Sequence, residues 1–248
     1  MELTGEMALI SLALAAGGFL KGATGAGAPV VAVPVLVLFF DVPFAVAVMV
    51  IPNAVSNLWQ GWRHRASALP ARFTWGFGLI SAGGAVLGSA ILAHSPPEAL
   101  LVAVAAAVFG YIAFRLARPD WVLGYAGALR LLWPAGVASG ILQAATGISA
   151  PVILSYFNAM RLKRETFIGS ISVAFGLMSI VQVPTLLWYG ILDSQRALYG
   201  TLAILPLLAA MPLGAWAIRY LPTKLFDRVI LGLLALIALR MIWKSLGG

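Results

Sequence analysis

Between Arg72 and Glu98 the chain runs 25 residues without an Asp, Glu, Lys or Arg, and between Glu165 and Asp193 it does so for 27. About 20 apolar residues suffice for a helix to cross the hydrocarbon core of a bilayer. Runs of this kind recur along the sequence, and they predict full spans at residues 43–60, 73–93, 98–115, 166–189, 197–218 and 224–243. Of the 248 residues 62% are hydrophobic and only 10% charged. That leaves too little polar surface to cover a water-soluble globule, where about a quarter of residues are charged. The sequence predicts an all-α integral membrane protein forming one compact membrane domain.

Two apolar regions, 7–40 and 132–157, do not read as simple spans, because each is interrupted by the same small-residue run. Residues 18–31 are GFLKGATGAGAPVV and residues 140–153 are GILQAATGISAPVI, sharing ATGxxAP. At an offset of 122, Thr24 falls on Thr146, Gly25 on Gly147, Ala28 on Ala150 and Pro29 on Pro151. At an offset of 126, Gly88 falls on Gly214 and Pro96 on Pro222. The chain is therefore predicted to be duplicated, with a first repeat over 1–120 and a second over 121–248.

Charge decides how the interrupted regions cross. If each is a helix–break–helix hairpin returning to its own side, twelve of the 16 basic residues fall in loops on one side, the cytoplasmic one by the positive-inside rule. Three (Arg196, Arg240 and Lys244) lie opposite, and Lys21 stays in the membrane. Single crossings scatter the basic residues and put the cluster Arg161, Lys163 and Arg164 outside. The arms 7–20 and 29–40 are also too short to span upright. Each repeat then holds a broken or re-entrant hairpin plus three transmembrane helices. Three is odd, so the second repeat starts from the opposite face, giving two inverted-topology repeats. A re-entrant hairpin and a pair of short tilted spans satisfy the charges equally. The N-terminal apolar stretch follows Glu2 and Glu6 rather than a basic segment, so it is expected to be retained rather than cleaved as a signal peptide.

Non-helical backbone at membrane depth is tolerated only inside protein or beside a water-filled cavity. Gly25, Gly27 and Gly147 permit the unusual backbone and close approach that such a break needs. Pro29 and Pro151 are expected as structural helix breaks, each opening a half-helix whose N-terminus gathers free N–H donors, an arrangement suited to anions. Thr24, Thr146 and Ser149 are candidate hydroxyl donors there. Lys21, charged and deep in the apolar region, is a candidate for the anion's counter-charge, with snorkelling to an interface as its plain alternative. Gln143 occupies the matching position and offers two donors without charge. Asn53, Ser56, Asn57 and Gln60 make one polar helix face, from which Asn53 and Asn57 are candidate lining residues; interhelical hydrogen bonding is the alternative. Ser170, Ser172, Ser179 and Gln182 form a thinner stripe in the second repeat. Gly83, Gly84 and Gly88 predict close helix packing, and Trp59, Trp62, Trp75 and Trp121 read as interfacial anchors.

Several classes are excluded or disfavoured. The chain has no Cys, no P-loop, no His–Glu zinc motif and no paired buried carboxylates, so no enzyme, cofactor or metal centre is predicted. His64 and His94 stand alone in loops. The net charge of +8 reflects loop topology signals rather than nucleic-acid binding.

The runs at 18–29 and 140–151, with the duplicated half and the overall size, resemble the TauE/SafE (TSUP) family of sulfite and organosulfonate exporters. The resemblance implies a multi-pass protein of the bacterial inner (cell) membrane that moves a small sulfur-containing anion. Ala23, Ala26 and Ala28 stand where the resemblance leads one to expect more glycine. The expected function is secondary transport of sulfite or an organosulfonate by alternating access, with the site at the two breaks near the midplane. A passive anion channel and a membrane subunit that binds partners without transporting are the alternatives. The expected partners are the anion and the lipid bilayer; a coupling ion is possible but unassigned, and the sequence sets no oligomeric state.

Overall fold

The computed structural model describes residues 3–117, 122–218, 220, 232, 234–239 and 243. Nine helices are assigned among them: α1 (Leu3–Thr24), α2 (Ala28–Phe39), α3 (Val42–Arg63), α4 (Ala71–His94), α5 (Pro97–Ala117), α6 (Tyr125–Thr146), α7 (Ala150–Ala159), α8 (Arg164–Trp188) and α9 (Ser194–Ala217). Six are long and apolar enough to cross a membrane: α1, α3, α4, α5, α8 and α9. Their outward faces carry large apolar side chains such as Leu79, Leu205 and Trp188, the last 85% exposed. Water would disfavour so much contiguous apolar surface, and lipid accommodates it. The chain is an all-helical, multi-pass membrane protein.

Starts and stops follow local chemistry. Asp41 caps α3 by accepting from the Phe44 N–H at 2.7 Å, and Asp193 caps α9 by accepting from the Arg196 N–H at 2.7 Å. α1 ends at Gly25 (φ 87°) and α6 at Gly147 (φ 76°), left-handed conformations that glycine adopts without strain. Pro29 and Pro151 sit in the first turn of α2 and α7, where a missing N–H costs no intrahelical bond.

The first arms of the two interrupted regions differ from the sequence reading. α1 and α6 are each 22 residues long, although only α1 is also apolar enough to be one of the six candidate spans, whereas α2 and α7 have 12 and 10. Each interrupted region is thus one long helix followed by one short one. The expected arm of 7–20 stopped short of Lys21, whereas the helix begins at Leu3 and continues to Thr24. Its glycines are helical, and at Gly18 and Gly22 the missing side chains admit neighbouring backbone. An added Cβ on Gly18 would stand 2.1 Å from the Leu207 carbonyl oxygen, and one on Gly22 1.9 Å from that of Met211. α6 begins at Tyr125 rather than near 132. Of the expected span 224–243, only 232, 234–239 and 243 are described, all helical; Trp121, Pro222 and six of the basic loop residues lie outside the described residues.

Glycine faces fix the packing. α1 runs parallel to α9, with Gly18 on Leu207, Gly22 on Met211 and Gly214 on Phe19. α6 runs parallel to α4 in the same way, with Gly140 on Ser81, Gly84 on Val137 and Gly88 on Ile141. Gly84 and Gly88 therefore pack closely as expected, while Gly83 faces open space. α3 and α8 run antiparallel: His64 meets Gly169, Gly61 meets Ser172, and Leu58 meets Gly176.

Candidate functional site

The two breaks are built to one pattern. Thr24 Oγ1 lies 2.8 Å from the Leu20 oxygen and 2.6 Å from the Ala26 oxygen, and accepts from the Ala26 N–H at 3.4 Å. Thr146 Oγ1 lies 2.7 Å from the Leu142 oxygen and 3.3 Å from the Ile148 oxygen, and accepts from the Ile148 N–H at 3.1 Å. Every partner repeats at an offset of 122. Each threonine thereby ties the end of a helix to the extended residues beyond it, satisfying backbone groups that lipid could not.

Around this shared frame the chemistry diverges. Lys21 is 1% exposed, and its Nζ donates to Asn57 Oδ1 at 2.6 Å. The ammonium also stands 5.9 Å from the Phe175 ring centroid. Asn57 is aligned in turn by donating from Nδ2 to the Asn53 carbonyl at 2.8 Å. At the second break Gln143 donates from Nε2 to the Gly147 carbonyl at 3.1 Å and accepts from Ser149 Oγ at 2.9 Å. A buried cation with neutral partners marks one break, and a neutral amide–hydroxyl pair the other. Snorkelling, the alternative for Lys21, does not describe this geometry, because the ammonium is buried and held by α3.

The breaks meet in space. Gly27 and Pro29 from the first, and Gln143, Gly147 and Ser149 from the second, line a space of about 10 Å³ with Phe175 in its wall. That volume holds about one water. A larger cavity of about 400 Å³ lies between α3, α4 and α8, with Asn57, Arg65, Thr74 and Ser172 among its walls.

A family model described as "Sulfite exporter TauE/SafE" matches residues 9–241. The chain belongs to the TauE/SafE family. No curated protein and no solved structure matches it. Membership makes the chain a membrane transporter rather than an enzyme, and points to sulfur-containing anions as its cargo.

In this TauE/SafE chain the residues singled out by sequence fall into three groups. Gly27, Gln143, Gly147 and Ser149 line the space between the breaks, together with Pro29. Lys21 and Asn57 pair beside Phe175, with Asn53 bonded to Asn57. Thr24, Gly25 and Thr146 shape the breaks themselves, and Pro151 packs against Gly110 of α5. The thinner second stripe serves helix packing: Ser170 Oγ accepts from the Leu69 N–H at 2.9 Å, Ser172 Oγ donates to Gln60 Oε1 at 3.5 Å, and Gln182 donates to the Ala144 carbonyl at 3.4 Å.

Two residues at the site lie outside the sequence reading. Phe175 is an apolar residue in an apolar span and carries no signal of its own; only the offset of 122, which lays it on Asn53, marks it. Arg164, read as a loop charge, donates from Nη2 to the carbonyls of Gly22 at 3.0 Å and Ala23 at 3.2 Å, in the last turn of α1. A cation at the start of α8 is poorly placed for its own helix dipole, but at the carbonyl end of α1 the sign is favourable. Nearby His64 is held below the usual imidazole range by burial, with Arg63 and Arg164 adding to that and Glu165 opposing it.

Proposed function

We propose that the chain is a secondary transporter carrying sulfite or a small organosulfonate across the bacterial inner membrane by alternating access, with the anion held where the two breaks meet. The observation that carries this reading is the space walled by both breaks, the first carrying the buried Lys21 with its ammonium on Asn57 and over the Phe175 ring, the second presenting an amide and a hydroxyl. An anion there gains charge from Lys21, hydrogen bonds from Gln143 and Ser149, and the N-termini of α2 and α7.

Inverted repeats supply the alternation. The α1–α9 and α6–α4 pairings repeat the same glycine contacts between halves, and α3 and α8, equivalent at an offset of 122, run in opposite directions. Both features support two halves related by a pseudo-twofold axis in the membrane plane. At about 10 Å³ the space between the breaks is too tight for the continuous polar path that a channel needs, which favours a carrier.

Counterflow in proteoliposomes tests this. Vesicles preloaded with unlabelled sulfite or a short alkylsulfonate are expected to accumulate the labelled anion transiently, with a rate that saturates. A flux that rises linearly with concentration and shows no counterflow rejects the carrier reading.

A further inference from the structure

The cavity of about 400 Å³ and the smaller space between the breaks lie on two sides of one thin partition. On α8, Ser172, Val173, Gly176 and Leu177 line the cavity, whereas Phe175, set between them in the sequence, lines the smaller space. On α3, Asn57 faces the cavity and binds Lys21, whose ammonium stands over the Phe175 ring. The residues separating the two volumes are therefore Asn57, Lys21 and Phe175. The larger volume has room for a sulfonate and the smaller does not.

Lining chemistry says what the larger volume would hold. Arg65 is positioned at its rim by donating to the Trp62 carbonyl at 2.7 Å and by lying 4.8 Å from the Trp62 ring centroid. Thr74 and Ser172 are buried in its wall with their hydroxyls on the Leu69 carbonyl and on Gln60, and the half-exposed Leu58, Trp75 and Ile180 form its apolar edge. A cationic rim over apolar walls fits an anion with an apolar body, such as an alkylsulfonate, better than a bare inorganic ion.

We propose that the α3–α4–α8 cavity is the loading compartment for the anion and that Phe175 is the barrier closing it from the breaks. This deepens, and rests on, the transport reading above. In the conformation described the anion waits beside Asn57. Withdrawal of the Phe175 ring from Lys21 joins the two volumes and exposes the ammonium to the incoming charge. Phe175 acts as a positioning residue rather than a ligand.

The absence of cysteine allows a clean test by thiol labelling. Purified full-length Ser149→Cys protein, placing a thiol in the space between the breaks, is treated with anionic sulfonatoethyl methanethiosulfonate, with and without Phe175→Ala. Val173→Cys, on the partly exposed wall of the loading cavity, serves as reference. Val173→Cys is expected to react in both backgrounds, and Ser149→Cys at least tenfold faster when Phe175 is alanine. Phe175→Leu, which keeps apolar bulk without the ring, gives a smaller acceleration and replaces the alanine variant should that fail to fold. Hexanesulfonate is expected to slow Val173→Cys labelling several-fold at an ionic strength where chloride does not. Equal Ser149→Cys rates with and without the ring overturn the barrier, and equal protection by the two anions overturns the loading assignment. Because labelling needs no turnover, failure of counterflow with this labelling pattern intact rejects transport and leaves the partition standing.

Discussion

The two breaks share a threonine brace, a positive-φ glycine and a first-turn proline, yet differ in almost everything that bears charge. The first has Lys21 on Asn57 and Arg164 on the last carbonyls of α1. The second has Gln143 with Ser149, and its strongest link to α8 is the neutral contact from Gln182 to Ala144. What repeats is what backbone in a bilayer requires of any break. What differs is what a single asymmetric ligand would require of a site made from two equivalent halves. Shared features should thus respond alike to substitution, and unshared ones should not.

The largest effects test the likeness. Gly18→Val and Gly140→Val each drive a side chain into a carbonyl about 2 Å from the ideal Cβ, at 2.1 Å and 2.0 Å respectively. Both are expected to lose folded protein, since overpacking against backbone costs about 1–3 kcal/mol or more. Gly83→Val, facing open space, should purify like wild type. Yield and monodispersity in detergent read this out; a marked difference between Gly18→Val and Gly140→Val would break the equivalence of the halves.

Function is where the breaks should part. Losing a charge-assisted contact costs about 1.5–3 kcal/mol and a neutral one about 0.5–1.5. Lys21→Ala is accordingly expected to weaken anion exchange by about 10–150-fold, and Gln143→Ala by about 2–10-fold. Initial counterflow rates across a range of anion concentrations check the ordering, and the reverse ordering would remove Lys21 from the centre of the site.

A smaller and more local difference is expected at Arg164. Arg164→Gln removes the donor to the Gly22 and Ala23 carbonyls, so amide exchange over residues 22–27 should quicken about tenfold while residues 144–149 keep their wild-type rates. Equal change at both breaks would mean that Arg164 stabilises the whole bundle rather than one break.

The sequence made the membrane class and the paired breaks legible because both rest on one-dimensional signals: charge-free runs and a motif repeated at fixed offset. Within the breaks the glycines stood out, since Gly25, Gly27 and Gly147 have few other uses inside an apolar run. The lengths of α1 and α6 were not. Glycines such as Gly18 and Gly140 read as weak points in a helix until a partner backbone is known to fill the gap, and that partner, α9 or α4, lies elsewhere along the chain. Thr24 and Thr146 looked like ligand donors because hydroxyls near a break can point either way; here they satisfy adjacent backbone. Phe175 could not be found from composition, because a barrier in an apolar span differs from its neighbours only by where it stands. Arg164 was hidden by a sound rule, that loop cations mark topology, which is silent on what else they bind.

The crossed glycine pairing has a consequence for how such a chain is made. α1 is made well before α9, which carries the surface carved to receive its glycines. Until α9 arrives that glycine stripe lacks its partner, and until α3 and α8 arrive Lys21 lacks the shelter of Asn57 and Phe175. α1 thus waits for its glycine partner through the synthesis of α2 to α8. Biogenesis is expected to be sensitive to anything that shields or shortens that interval, whether a chaperone holding α1 or the pace at which the second half arrives.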